Sequence, residues 1–259
     1  MTGDRAGRPA GNSWTAEGTA PRDAALRLFC LPYAGGSASV FRTWAAAFAP
    51  SIAVCPVQWP GRGTRWREPP VDDLAALVAA TASGLDGYVD IPFAVFGHSL
   101  GALVGFELTR YWRQRGAALP VALFVSGCNA AHCPSTSPPI ATLPDTELFE
   151  RLRALGGITP EVLDQPELIA FYLPVVRADL AAAETYGYRA EPPLSCPITA
   201  FAGTRDPEAD RDSVRSWHEH TRGLFTLCEL PGDHFFIHSA ARDLTAIIAA
   251  QLTARLQAG

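Results

Sequence analysis

At 259 residues the chain is long enough for one domain with a sizeable buried core, and a hydrophobic content of 48% can fill it. A net charge of −5 argues against a nucleic-acid partner, whose phosphates demand a basic surface, and no apolar run approaches the roughly 18 residues that a membrane-spanning helix needs. Four of the cysteines, Cys30, Cys55, Cys196 and Cys228, sit in apolar strand-like runs where a thiol packs as a small hydrophobe, and no C-x-x-C pair occurs, so the expected location is cytoplasmic.

Residues 1–22 are rich in Gly, Ala, Arg and Thr without periodicity and lack the apolar core of a signal peptide, which predicts a loose N-terminal tail ahead of a domain spanning 23–259. Leu26–Leu31 alternates into a strand and runs into Pro32-Tyr-Ala-Gly-Gly-Ser37, where two glycines free the backbone to turn its N–H groups inward. A helix near Ser39–Phe48 and a strand Ile52–Pro56 follow, and the loop Gln58–Pro70 leaves that strand carrying Arg62, Arg65 and Arg67. Those guanidiniums are candidates for meeting an anionic partner at the entrance to a site. A helix over Asp72–Leu85 precedes the most informative segment, an apolar strand Phe93–Phe96 that enters Gly97-His-Ser-Leu-Gly101 and continues as a helix to Arg115.

That strand–turn–helix context marks a nucleophile elbow, with Ser99 exposed on a strained turn and the glycines leaving room for helix and strand to pack closely. A nucleophilic serine needs a base and a carboxylate that orients the base, and in the α/β-hydrolase fold they follow in the order Ser, acid, His. Pro197–Gly203 reads as a buried strand with Asp206 just past its end; a helix Asp210–Arg222 and a strand Leu224–Leu230 then lead to Pro231-Gly-Asp-His234. Asp206 and His234 are the expected acid and base, with His238 as the rival base, while Asp210 and Asp212 look like helix-capping residues. His98 should point away from Ser99, His132 precedes the acid in the chain, and His218 and His220 share no helix face, so no metal site is expected. The amide of Leu100, after the nucleophile, and that of Ala34 are the expected oxyanion donors.

Short apolar strands separated by helices predict an α/β fold, a mostly parallel sheet covered on both faces. After the strand Val121–Ser126 the alternation stops, and from about 130 to 191 proline-punctuated helical pieces follow one another: Asp145–Leu155, Pro160–Leu163, Pro166–Leu173 and Pro174–Tyr186. This insertion reads as a helical lid, with Phe171 and Tyr172 as candidate substrate-binding side chains. Cys128 and Cys133, beside His132, are expected to be structural.

Taken together, Pro32-Tyr-Ala-Gly-Gly-Ser37, Gln58-Trp-Pro-Gly-Arg62, Gly97-His-Ser-Leu-Gly-Ala102, Gly203-Thr-Arg-Asp206 and Gly232-Asp-His234-Phe resemble the type II thioesterases of polyketide and nonribosomal peptide synthesis, over residues 26–255. The resemblance implies an editing hydrolase that removes stalled or wrong acyl groups from the phosphopantetheine arm of acyl or peptidyl carrier proteins. It implies Ser99, Asp206 and His234 as the triad, Ala34 and Leu100 as oxyanion donors, and no cofactor beyond the phosphopantetheine that arrives on the carrier. A free-standing monomer is expected. A carboxylesterase or lipase, or an acyltransferase, would use the same triad, whereas a non-catalytic carrier-binding module would not need it.

Overall fold

Six parallel strands run through the centre of the molecule in the order β2-β1-β3-β4-β5-β6: β1 (Leu26–Leu31), β2 (Ile52–Pro56), β3 (Phe93–His98), β4 (Leu123–Ser126), β5 (Ile198–Gly203) and β6 (Phe225–Leu230). The structure, a computed structural model, describes residues 14–15, 24–48, 50–134, 137–157 and 166–258. Successive residues of a strand face opposite sides, so Phe29, Leu31 and Val95 join one apolar layer while Leu28, Cys30 and Phe96 join the other. On the first side lie α2 (Leu74–Leu85) and α3 (Leu100–Gln114); on the second lie α1 (Ala45–Phe48) and the C-terminal helix Ala241–Ala258. This is the α/β-hydrolase architecture expected from the strand pattern, with every strand pair parallel.

The chain steps from β1 outward to β2 and then back past β1 to β3, which makes the carboxyl ends of β1 and β3 a switch point where a crevice opens. Both the Pro32–Ser37 loop and the Ser99 elbow leave from that point. The helical insertion crosses the same edge. It contains α4 (Asp145–Ala154) and α5 (Pro166–Glu184); the piece expected at Pro160–Leu163 lies outside the described residues. After β5 come α6 (Arg211–Arg215) with a 3-10 turn Ser216–His220, and after β6 the short α7 (Phe236–Ser239) and then α8 (Ala241–Ala258).

Two helices expected on either side of Pro174 are one 19-residue helix with that proline inside it. The proline removes the bond its N–H would give to the Ala170 carbonyl, but Ala170 and Pro174 are exposed, so water can take that acceptor. Burial of Val175, Ala178, Asp179 and Ala182, spaced as one helical stripe, holds the helix through the defect. Within the span expected to be a loose tail, Trp14 is buried, its ring pressed against Gly84, and the backbone N–H of Gln58 donates to the Trp14 carbonyl at 2.8 Å. The rest of that span, 1–13 and 16–22, lies outside the described residues.

Candidate active site

Ser99 occupies φ 53°, ψ −119°, the only positive φ at a non-glycine among the described residues. Its neighbours allow this: a Cβ at Gly97 would sit 2.0 Å from the Gly101 carbonyl oxygen, and one at Gly101 would sit 2.2 Å from that of Leu31. Only hydrogen at both positions lets α3 start directly against β1 and β3, and the serine is thereby thrust off the sheet edge. The Ser99 amide is spent on the Ser126 carbonyl at 2.8 Å, which fixes the elbow to β4.

His234, in the turn after β6, presents Nε2 at 3.1 Å from Ser99 Oγ and Nδ1 at 3.1 and 3.0 Å from the two Asp206 carboxylate oxygens. Asp206, directly after β5, has a fully buried side chain whose Oδ1 also accepts the amides of Glu208 at 2.9 Å and Ala209 at 3.2 Å. These donors keep the carboxylate aimed at Nδ1, so that Nε2 is left free to accept the Ser99 proton. His238, the rival base, is elsewhere: its Nε2 bonds the Tyr33 hydroxyl at 2.9 Å. Asp210 caps α6, accepting from the amides of Asp212 and Ser213 at 3.0 Å each.

Leu100 is the first residue of α3, where backbone N–H groups lack intrahelical acceptors and the helix dipole is positive. Ala34 is the first central residue of a turn closed by the Gly36 amide on the Tyr33 carbonyl at 2.8 Å. Among the described residues neither the Ala34 nor the Leu100 amide has a hydrogen-bond partner, and both residues line the cavity that opens over Ser99. That cavity measures about 440 Å³. Its walls carry Leu103 of α3, Leu152 of α4, Leu180 and Ala183 of α5, and Tyr186, with Asn129, Arg151, Glu184 and Glu208 among the polar lining, so it is a mostly apolar chamber under the helical insertion that opens on a nucleophile.

A profile of the thioesterase domain matches residues 26–253. The chain belongs to the thioesterase family. It is 40% identical over 241 residues to the gramicidin S biosynthesis protein GrsT of Aneurinibacillus migulanus, covering 93% of this chain and 94% of that protein. The solved structure of RedJ, a thioesterase of the prodiginine pathway in Streptomyces coelicolor, superposes with a TM-score of 0.85 at 41% identity, covering 94% of this chain and 96% of that one. BorB, the type II thioesterase of the borrelidin cluster, superposes with a TM-score of 0.86 at 39% identity, covering 95% and 100%.

Within this thioesterase the structure redistributes several residues expected at the site. Phe171 and Tyr172 do not line the chamber; they are 45% and 43% exposed, and the Phe171 ring lies 6.1 Å from that of Trp66. They precede the lining residue Leu180 by two turns of α5 or more, about 12–14 Å along the axis, which takes them past the chamber mouth. Arg62 and Arg65 are not surface cations either. Arg62 is 2% exposed and paired with Asp179, and Arg65 is 8% exposed, bonded to Glu68 and lying 3.9 Å over the Trp14 ring. The 3-10 turn Gly63–Arg65 folds the loop inward, and only Arg67 of the three stays exposed, stacked on Trp66 at 4.6 Å.

Two further contributors belong to no motif role. His98 is wholly buried behind the triad: its Nε2 donates to the His234 carbonyl at 2.8 Å, and its Nδ1 therefore accepts from the Ser126 hydroxyl at 2.9 Å. Burial and the neighbouring His234 hold its pKa well below the usual histidine range, so this ring stays neutral and ties the His234 turn to β3 and β4. Asp179 of α5 reaches the Pro32–Ser37 loop, and an aspartate inside an otherwise apolar helical stripe was the available signal. Cys128 also lines the chamber, but burial pushes its thiol up to about 12, which leaves it protonated and a poor nucleophile.

Proposed function

We propose that this thioesterase hydrolyses acyl groups from the phosphopantetheine arm of acyl or peptidyl carrier proteins of a polyketide or nonribosomal peptide synthase, clearing stalled or wrong intermediates. The observation that carries this reading is the Asp206–His234–Ser99 hydrogen-bond chain, at 3.0 and 3.1 Å, opening on a mostly apolar chamber of about 440 Å³ in a thioesterase-family chain. The borrelidin-cluster name of BorB and the gramicidin S name of GrsT favour assembly-line carriers as the source of substrate.

In this mechanism Ser99 Oγ attacks the thioester carbonyl while His234 Nε2 takes its proton, and the tetrahedral oxyanion is held by the amides of Ala34 and Leu100. The C–S bond breaks, His234 returns the proton to the leaving pantetheine sulfur, and an acyl–Ser99 ester remains. Water, deprotonated by the same imidazole, releases the free acid. Asp206 orients the ring and stabilises the imidazolium in both halves. No resident cofactor is needed, because the phosphopantetheine arrives on the carrier. The working form is a cytoplasmic monomer; among the described residues no helix is long and apolar enough to cross a membrane. Carrier docking falls to the exposed patch of Arg67, Trp66, Phe171 and Tyr172 beside the insertion.

Incubation with acyl-carrier protein, acyl-coenzyme A and an oxygen ester, with rates ranked, tests the reading. Acyl-carrier protein should be turned over fastest, and Ser99→Ala should lose all but the roughly 10³–10⁴ over water that binding and oxyanion donors supply. Arg67→Ala should slow acyl-carrier protein severalfold and spare a small uncharged thioester. A faster oxygen ester, or near wild-type turnover by Ser99→Ala, would overturn the proposal.

A further inference from the structure

The Asp179 carboxylate is completely buried, yet it sits on a helix of the insertion and is bonded to two loops of the core. Its Oδ2 accepts the Gly35 amide at 2.7 Å and Arg62 Nη1 at 2.5 Å, and its Oδ1 accepts Arg62 Nη2 at 2.7 Å. The same guanidinium is fixed from behind, since Nη1 also donates to the Gly36 carbonyl at 3.2 Å and Nε donates to the Pro60 carbonyl at 3.2 Å. Gly35 has no room for a side chain on this face, because a Cβ there would lie 2.9 Å from Val176 Cγ2. One ion pair thus joins three segments: the loop after β1, the loop after β2, and α5.

The loop after β1 is the one that carries Ala34. With the Tyr33 carbonyl bonded to the Gly36 amide and Gly35 at φ +76°, residues 33–36 form a type II turn. Type I and type II turns differ by a flip of the central peptide, here Ala34–Gly35; the Ala34 amide belongs to the peptide just before it, so its place over Ser99 is set by where the turn as a whole is anchored. The N–H of this central peptide is the Gly35 amide, the group that Asp179 holds. A buried carboxylate that accepts it selects the type II form, because a flipped peptide would turn its carbonyl oxygen towards the anion. Arg62 makes the anion tenable at full burial: desolvation raises the Asp179 pKa, and the guanidinium and the Gly35 amide oppose that rise.

We propose that Asp179 and Arg62 are positioning residues for the oxyanion hole, through which the helical insertion fixes the place of the turn that carries the Ala34 amide. This rests on Ser99 chemistry with Ala34 as a donor, and it adds that the insertion is coupled to the rate of the chemical step as well as to the shape of the chamber. Neither side chain touches the substrate, so their effect is on the transition state and not on ground-state binding.

The test compares Asp179→Ala, Asp179→Asn and wild type in turnover of a small acyl thioester. It adds the affinity of a trifluoromethyl ketone, which forms a tetrahedral oxyanion on Ser99, the affinity of a non-hydrolysable thioether of the same acyl chain, and thermal denaturation. Removal of an oxyanion donor typically costs about 10²–10³ in kcat, and a displaced donor should cost about 10–100. Asp179→Ala should therefore lower kcat by about 10–100-fold with KM within about twofold, and weaken the ketone by the same factor with the thioether unchanged. The Asn carbonyl oxygen can take the Oδ2 place and keep the Gly35 bond, so Asp179→Asn should hold kcat within about threefold of wild type while melting lower, with Arg62 half-paired. Wild-type kcat in folded Asp179→Ala overturns the proposal, as does equal weakening of ketone and thioether, which would mean that the pair only packs the insertion. If Asp179→Ala does not fold, a kcat in Asp179→Asn that falls in proportion to its lowered melting temperature overturns it equally. Failure of the wild-type enzyme to form the ketone adduct would instead sink the Ser99 mechanism itself.

Discussion

Ser99 holds a backbone conformation that costs of the order of 1–3 kcal/mol, and the cost is met by packing that leaves no alternative: two glycines, a strand on either side and the Ser126 carbonyl on its amide. The residue beside it performs a quieter task. His98 has no part in the proposed proton transfer, but among the described residues it is the only buried polar tie between the elbow strand and the main chain of His234. His98→Phe keeps a planar ring and strands two buried partners, the Ser126 hydroxyl and the His234 carbonyl, each worth about 1–3 kcal/mol when left unmet. The expected outcome is a lower melting temperature together with a fall in kcat of about tenfold or more at nearly constant KM, read by steady-state kinetics. Unchanged kcat would show that Asp206 alone orients His234. The hydrogen-bonded set Ser99, His234 and Asp206 was legible in the sequence because each residue stands at a strand end with its own turn signal. The His98 tie was not, because its acceptor is a main-chain oxygen 136 residues away, and a backbone group leaves no mark in residue identity.

At the scale of elements, the strands and the helix of the elbow follow from local apolar runs and punctuation, whereas α5 shows where punctuation misleads. Pro166 and Pro174 each resemble a helix start, yet the stripe Val175, Ala178, Asp179 and Ala182 binds one continuous helix to the core, and tertiary burial outweighs the local break. The opposite holds downstream, where a helix read over Asp210–Arg222 divides into α6 and a 3-10 turn so that His220 can turn inward to His132 at 2.8 Å. The C-terminal α8 could have been found from Leu244, Ile248 and Leu252, spaced four apart and all fully buried. The continuity of α5 decides which side chains face the chamber. Its outer half offers Phe171 and Tyr172 to solvent, and its inner half offers Leu180 and Ala183 to the chamber. Leu180→Trp, or Leu155→Trp at the end of α4, should therefore favour short acyl thioesters over medium ones by about one to two decades in kcat/KM, the span that about 1–3 kcal/mol of pocket contacts provides. Phe171→Ala should leave the chain-length ranking of a small thioester series as it is. A reordered ranking in Phe171→Ala, or none in the tryptophan variants, would move the acyl site off this chamber.

For the whole molecule, the net charge of −5 and the burial of several histidines make stability a function of pH in a way the composition does not show. His220 is 5% exposed, enclosed by Trp217, Phe106, Tyr188 and His132, and desolvation, followed by the nearby His132, Arg110 and His218, lowers its pKa to about 4. His98 and His238 shift the same way, each chiefly through burial. A histidine whose folded pKa lies below its unfolded value takes up its proton first in the unfolded chain, so stability is full above about pH 6.5 and is lost as pH falls towards the folded value. For His220 that window runs from about 6.5 down to about 4. Its share is on the order of 1–2 kcal/mol, because the half-buried His132 at its side admits some solvent screening. Asp179 acts in the opposite sense, its raised pKa letting the folded state take a proton before the unfolded state does, but it is common to both proteins in a comparison that changes His220 alone. In urea unfolding between pH 7 and 4.5, wild type should lose stability steadily below about pH 6.5, and His220→Gln should follow a shallower slope. Parallel slopes for the two proteins would mean that the His220 ring binds its proton equally well folded and unfolded, and that the aromatic enclosure around it does not exclude charge.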